Sequence, residues 1–274
     1  MILLRLASVA IGFAAVVSGT QFANAQSTLE NAVKEQKLNV CWINYPPGGY
    51  RDAASGRLVG YYFDIINEIL AQVKIEPNYV ESDWGTFIAA LQAKKCDMSI
   101  AGVLMTIPRA SVIAFSQPIF YLSSRLAIGT DEKRIGSLEE LENLPGIRIA
   151  VQQGSSHYEY AKRRFPKAEI VALASRDPTA SMIEIASKRA DAAITDAWLV
   201  EKFQKEHPES VKIVGSTFNM EGVGWTFRQQ DYALRDFFDV GLEKLRMNGT
   251  IEAMVRKYPE SGRYIIDQQI KPVR

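Results

Sequence analysis

Short apolar runs alternate with segments whose apolar residues recur at helical spacing, and that alternation constrains the fold of this chain more than any other feature. Residues 38–43 and 76–80 read as strands, and Ile65, Ile66, Ile69, Leu70 and Val73 line one face of a helix between them. A third strand begins after Asp97 and breaks at Gly102. A second set starts at Gly146: a strand over 147–151, a helix to 164, a helix opened by Asp177 and Pro178, and a strand over 191–196. Such alternation predicts α/β layers built on parallel strands. The chain returns to strand at 212–217 and 225–228 and closes with helices capped by Asp231 and Thr250, the last stopped by Pro259. One α/β unit is thus inserted within another, which predicts two lobes joined by two crossing segments. The expected division gives 26–122 and 223–274 to the first lobe and 123–222 to the second.

Several loops at strand ends carry groups suited to a ligand. After the third strand, Thr106-Ile107-Pro108 delivers Arg109. An arginine forks two N–H bonds onto one carboxylate, which a lysine cannot do with the same geometry. The first strand runs into Asn44-Tyr45-Pro46-Pro47-Gly48-Gly49-Tyr50, a forced loop at its carboxyl end, where open α/β sheets hold their ligands. Trp42, Tyr45 and Tyr50 there either wall a ligand or pack the loop. Asp83 is read as the cap of a helix carrying Trp84 and Phe87. In the second unit Gly154-Ser155-Ser156 leads into a helix whose first N–H groups favour an anion. His157 is read as a helix-surface residue, and His207 lies too far along the chain to make a metal pair with it. Asp196 ends a short buried strand, where it either caps the next helix or faces a ligand. Ser137 and Glu140 have capping-box spacing.

The amino terminus reads as a secretory signal: Arg5, an apolar stretch over 6–17, and Ala23-Asn24-Ala25 as the cleavage site. The stretch is shorter than the roughly 20 residues a spanning helix needs. Cleavage after Ala25 leaves 249 of the 274 residues and, with Arg5 gone from the 32 Lys and Arg, 31 basic against 31 acidic side chains. That balance offers no nucleic-acid footprint. Two cysteines in an exported chain suggest a disulfide. Parallel pairing of their strands, however, places Cys41 and Cys96 several residues out of step, about 10 Å at strand rise, so free buried thiols are expected. The sequence holds no phosphate loop, nucleophile elbow or metal-ligand spacing, which points away from an enzyme and from any cofactor or metal.

Taken together, these stretches resemble the extracellular solute-binding proteins of family 3, the polar amino-acid-binding components of ABC importers. The resemblance rests on Tyr45-Pro46-Pro47, on Gly60 and Asp64, on Asp83-Trp84, and on Ala101-Gly102 with Leu104 and Thr106-Ile107-Pro108-Arg109. It continues through Phe115-Ser116-Gln117-Pro118, Gly154-Ser155-Ser156 and Asp196. Tyr62 stands where the family usually has an acid, and Ala101 and Leu104 replace hydroxyl residues. The resemblance implies an α/β fold of the bilobal periplasmic-binding-protein type II clamshell class. It further implies a monomeric periplasmic protein that hands its ligand to a membrane permease without chemistry. Arg109 would hold the ligand carboxylate with Ser155 and Ser156, and Asp196 its amine. Trp42, Tyr45, Tyr50, Trp84, Phe87, Ala101, Gly102 and Leu104 would complete the walls. The apolar replacements favour an amino acid with an apolar or aromatic side group, or a related organic acid lacking the amine. A cyclohexadienyl dehydratase on the same fold is the enzymatic alternative, but Leu199 stands where those enzymes carry a glutamate. A ligand-sensing receptor domain is a further alternative, for which the sequence supplies no signalling module.

Overall fold

The computed structural model describes residues 26–258, so the expected signal peptide over 1–25 and the expected stop at Pro259 lie outside the described residues. The chain enters through α1 (Thr28–Glu35), opened by a reciprocal cap in which Ser27 accepts from the Glu30 N–H and Glu30 accepts from the Ser27 N–H. Next come β1 (Lys37–Ile43), the short pair β2 (Tyr50–Arg51) and β3 (Leu58–Val59), and α2 (Tyr61–Ala71). Of the α2 face predicted from spacing, Ile65, Ile66, Ile69 and Leu70 are buried, whereas Val73 lies past the helix end and is exposed. β4 (Glu76–Ser82), α3 (Phe87–Gln92) and β5 (Met98–Leu104) complete the first set. β1 pairs in parallel with β4 on one side and β5 on the other. A strand in that position is covered on both faces, which is why it reads as a continuous apolar run.

α4 (Ile107–Ala110) and β6 (Ala114–Phe115) lead into β7 (Phe120–Gly129), which carries the chain across to the second lobe. There α5 (Leu138–Asn143), β8 (Arg148–Gln152), α6 (Ser156–Arg164), β9 (Glu169–Leu173), α7 (Ala180–Ala186), β10 (Ala192–Asp196) and α8 (Ala197–Glu206) repeat the alternation. β8 is parallel to both β9 and β10. The chain returns through β11 (Val211–Phe227) and ends in α9 (Tyr232–Met247) and α10 (Thr250–Arg256), back on the first lobe. The strand order is β4-β1-β5-β11-β7-β10-β8-β9, with β6 beside β11. The expected inserted-unit architecture, two α/β lobes with two connections, is what these pairings build.

The return differs from expectation. Residues 212–217 and 225–228 read as separate strands, whereas β11 is one strand throughout. It pairs antiparallel with β7 at both ends, Val211 to Val214 against Leu126 to Gly129 and Glu221 to Val223 against Phe120 to Leu122. Register shifts on either side of Phe218 take up the mismatch. Part of the crossing backbone pairs within this two-stranded ribbon, while the Gly215 and Gly222 carbonyls accept from the Arg125 side chain and the Met105 N–H.

The cysteines also differ. Cys41 and Cys96 form a disulfide, with Cα atoms 5.6 Å apart and both residues fully buried. The offset expected from strand rise does not arise because Cys96 precedes β5. There the chain, just past the left-handed Lys94, turns back across β1 and the Asp97 N–H reaches the Asn39 carbonyl at 2.8 Å. Arg228 fixes the same turn, donating to the carbonyls of Leu91 and Cys96 at 3.3 and 2.8 Å and pairing with Asp97 at 3.3 Å. Asp97 is therefore a structural residue.

Helix starts are shifted slightly from those read in the sequence. α3 begins at Phe87 rather than at Asp83, whose carboxylate instead holds the Gly85 N–H at 2.9 Å. α7 begins at Ala180, and Asp177 holds the Thr179 N–H at 2.8 Å in the turn before it. Ser137 caps α5, but Glu140 reaches back to the N–H of Gly136 instead of to that of Ser137.

Candidate functional site

Between the lobes lies a cavity of about 40 Å³, lined from the first lobe by Tyr45, Tyr62, Trp84, Gly102 and Leu104 and from the second by Gln152, Ser155, Ser156, His157, Pro178, Thr195 and Asp196, with Leu122 of β7 between them. That is room for a few waters. The lobes touch around it. Tyr45 stands edge-on to Trp84 of its own lobe and to Trp198 of α8, with ring centroids 6.2 and 5.8 Å apart, and its hydroxyl donates to Asp196 Oδ2. Arg176 pairs with Glu81 at 2.8 Å.

Arg109 is held by the short α4, where the Thr106 hydroxyl accepts its N–H at 3.4 Å and Pro108 fits the first turn. Its guanidinium is buried over the Phe87 ring, 5.8 Å from the centroid. One end donates to the Leu104 carbonyl and the other to the Gly154 carbonyl of the second lobe, each at 3.1 Å. Burial lowers its pKa to about 10, with Glu221 and Glu159 acting in the opposite direction. It remains charged at neutral pH, and among the described residues no carboxylate lies within ion-pair distance of it. Gly154 permits the approach: its φ is +75°, and a Cβ there would lie 2.6 Å from the Trp84 carbonyl oxygen.

Asp196 begins α8 as its N-cap residue, yet its side chain makes no capping bond. The carboxylate faces the cavity instead. Tyr45 occupies Oδ2, while Oδ1 has no hydrogen-bond partner and lies 3.6 Å from His157 Nε2, itself unpartnered. Burial and then the Asp196 charge push the Tyr45 hydroxyl pKa well above its ordinary value, so it stays a donor. Ser155 caps α6, taking the Tyr158 N–H at 3.1 Å and giving its own proton to the Gln152 carbonyl at 2.7 Å. Ser156 and His157 then fall on the buried side of the first turn.

The structure brings together Tyr45, Trp84, Gly102, Leu104, Ser155, Ser156 and Asp196 on one cavity, with Arg109 beside it through Leu104. Arg109 itself does not line the cavity, and four further expected residues do not line it either. Trp42 is buried against Phe63 and Arg51, since strand alternation turns it into the core. Tyr50 pairs with Val59 in the small β2–β3 ribbon. Phe87 lies beneath Arg109, and Ala101 points into the cluster around the disulfide. His157, expected on the helix surface, is buried in the site, whereas His207 is exposed. Tyr62 was not expected as a site residue. Its hydroxyl occupies the space a Cβ at Gly102 would need, and Gly102 has φ +69°. A hydroxyl from α2 thus stands beside the strand positions where the resemblance expects hydroxyl residues and the sequence has Ala101 and Leu104.

Residues 38–261 match the family described as bacterial extracellular solute-binding proteins, family 3. The lysine/arginine/ornithine-binding periplasmic protein of Escherichia coli is 30% identical over 223 residues, covering 78% of this chain and 84% of that protein. The probable histidine-binding protein of Campylobacter jejuni is 26% identical, covering 90% and 93%. Among solved structures, the ancestral amino acid-binding protein AncCDT-1, described as a precursor of cyclohexadienyl dehydratase, superposes with a TM-score of 0.74 at 26% identity, covering 85% of this chain and 99% of that one. An ancestral arginine-binding protein bound to arginine superposes with a TM-score of 0.72 at 28% identity, covering 81% and 98%.

Proposed function

The chain belongs to the bacterial extracellular solute-binding proteins of family 3, and from that premise we propose that its cleft captures an amino acid with an apolar or aromatic side group and delivers it to the permease of an ABC importer. The observation that carries the reading is Arg109, a buried guanidinium without a carboxylate within ion-pair distance among the described residues. A buried charge is normally paired, so the site calls for an anion. Two of its five N–H groups are taken by carbonyls, which leaves donors for a ligand carboxylate. Asp196 then receives the ammonium at its unpartnered Oδ1.

The ligand side group lies among Tyr45, Tyr62, Trp84, Leu104, Leu122 and Pro178. Only one carboxylate, Asp196, lines the cavity among the described residues, and it serves the ammonium; a basic side group would have none left. In this respect the proposal departs from the relatives named for arginine, lysine and histidine. Capture follows the clamshell scheme: ligand contacts with both lobes favour the closed form over the open one. The crossings are placed at 122/123 and 222/223, export removes residues 1–25, and the protein acts as a periplasmic monomer. No chemistry is assigned to the site, because the position that would supply a dehydratase acid holds the buried Leu199. A thermal-shift screen of amino acids and small carboxylates tests the reading, since a ligand that binds only the native state raises the midpoint.

A further inference from the structure

We propose that His157 is a specificity-determining residue that, together with Asp196, reads the number of N–H bonds on the ligand nitrogen and makes binding depend on pH. The proposal rests on the amino-acid reading given above. Two buried polar atoms, His157 Nε2 and Asp196 Oδ1, have no hydrogen-bond partner and sit 3.6 Å apart on the wall of one cavity. An unmade bond on a buried polar atom is costly, so each calls for a partner from the ligand. A neutral imidazole accepts at one ring nitrogen. A primary ammonium placed between the two atoms gives one N–H to each and meets both needs. A tertiary ammonium has one N–H and leaves one atom unsatisfied.

The same arrangement sets the response to acid. The charged groups facing His157 are Asp196, from the β10–α8 junction, and Arg109, from α4. Tyr45 reaches it only through Asp196, while Glu159 on α6 and Glu221 on β11 bear on Arg109. Burial above all holds the imidazole below its ordinary pKa of 6.5, against the opposing pull of Asp196, with Arg109 adding a smaller push in the same direction as burial. At neutral pH the ring is therefore an acceptor. Once protonated it becomes a donor, bonds to Asp196 Oδ1 itself and repels the ligand ammonium. Binding is strong where His157 is neutral and is lost as pH falls below 6.5 through the depressed value.

Isothermal titration of L-leucine, L-phenylalanine and L-arginine, each with its N,N-dimethyl derivative, into the full mature protein at pH 8.0, 6.5 and 5.0 tests this. Whichever amino acid binds is expected to weaken toward tenfold per pH unit once the imidazole titrates, the limit for competition with a single proton. Its dimethyl form is expected to bind at least tenfold more weakly at pH 8.0. His157→Gln keeps an acceptor but does not titrate, so it should lose most of the slope with pH and bind more tightly at pH 8.0 than His157→Leu. His157→Leu should bind about tenfold more weakly at pH 8.0. The chain has two histidines, so NMR of the ring protons in a His207→Gln background reads the His157 titration directly and shows whether each variant is folded. A ligand that binds equally at pH values above and below the His157 titration read by NMR, or an undiminished slope in His157→Gln, overturns the proposal and leaves the amino-acid reading intact. Failure of all three amino acids to bind at any pH overturns both.

Discussion

The first lobe meets the cavity with aromatic and aliphatic groups, Tyr45, Tyr62, Trp84 and Leu104, whereas the second meets it with Gln152, Ser155, Ser156, His157, Thr195 and Asp196. The cation beside the site comes from the first lobe and the carboxylate from the second. The two walls are also built differently. Behind the first, α2 packs on a sheet cross-linked by the Cys41–Cys96 disulfide and pinned by Arg228. In the second, the site groups come from the first turn of α6 and the start of α8, where local backbone geometry sets their direction. On the proposed reading, the first lobe supplies shape and an anion site on a disulfide-braced support, and the second supplies the hydrogen-bonding pattern. A ligand that satisfies both carries opposite charges at its two ends.

Removing the staple is expected to have the largest effect. Cys41→Ala with Cys96→Ala opens a cross-link between residues 55 apart, and loss of a native disulfide costs about 2–5 kcal/mol. Urea unfolding should show that loss while ligand affinity at saturating stability changes little. A cost under about 1 kcal/mol would mean the first lobe does not depend on its staple. Next comes the anion site. Arg109→Lys keeps the charge but loses the fork, and should weaken any carboxylate ligand by about 1.5–3 kcal/mol in calorimetry. Unchanged affinity would move the anion site elsewhere. Tyr62→Phe removes one hydroxyl from the first wall and should cost about 1 kcal/mol of affinity. A larger loss of stability than of affinity would make Tyr62 a packing residue.

The smallest expected effect belongs to the second wall. The folded His157 titrates below 6.5, so as pH falls the unfolded chain takes up this proton first. The associated stability is therefore present above 6.5 and lost as pH falls through the depressed value. Comparing urea midpoints at pH 7.5 and 5.5, His157→Gln should lose less stability on acidification than the unsubstituted protein. An equal loss would assign the acid sensitivity to other groups.

Much of this arrangement was legible in the chain because periodicity and turn residues act locally. The α2 face, the inserted α/β unit and the delivery of Arg109 past Pro108 follow from neighbours within a few residues. What sequence could not supply was the meeting of distant elements. Tyr62 enters the site because a glycine 40 positions on leaves space for its ring oxygen. His157 is buried on the cavity wall beside Asp196, which comes from an element 39 positions on. The disulfide was missed because the offset was calculated along extended backbone, while Cys96 lies in a turn that folds back onto β1. Trp42 and Phe87 were taken as ligand walls by their chemistry, but their strand and helix positions point them into the core.

The central claim is that one bipolar ligand spans Arg109 and Asp196, its side group lying against the apolar wall of the first lobe. A thermal-shift screen of the twenty amino acids against matched amine-free acids, run on the unsubstituted protein and on Asp196→Asn, tests it most directly. The account predicts that an apolar or aromatic amino acid such as L-leucine or L-phenylalanine raises the midpoint of the unsubstituted protein, and that Asp196→Asn abolishes that rise while responding little differently to the amine-free acid. Stabilisation by L-arginine or L-lysine, with none from any apolar amino acid or simple acid, would contradict it.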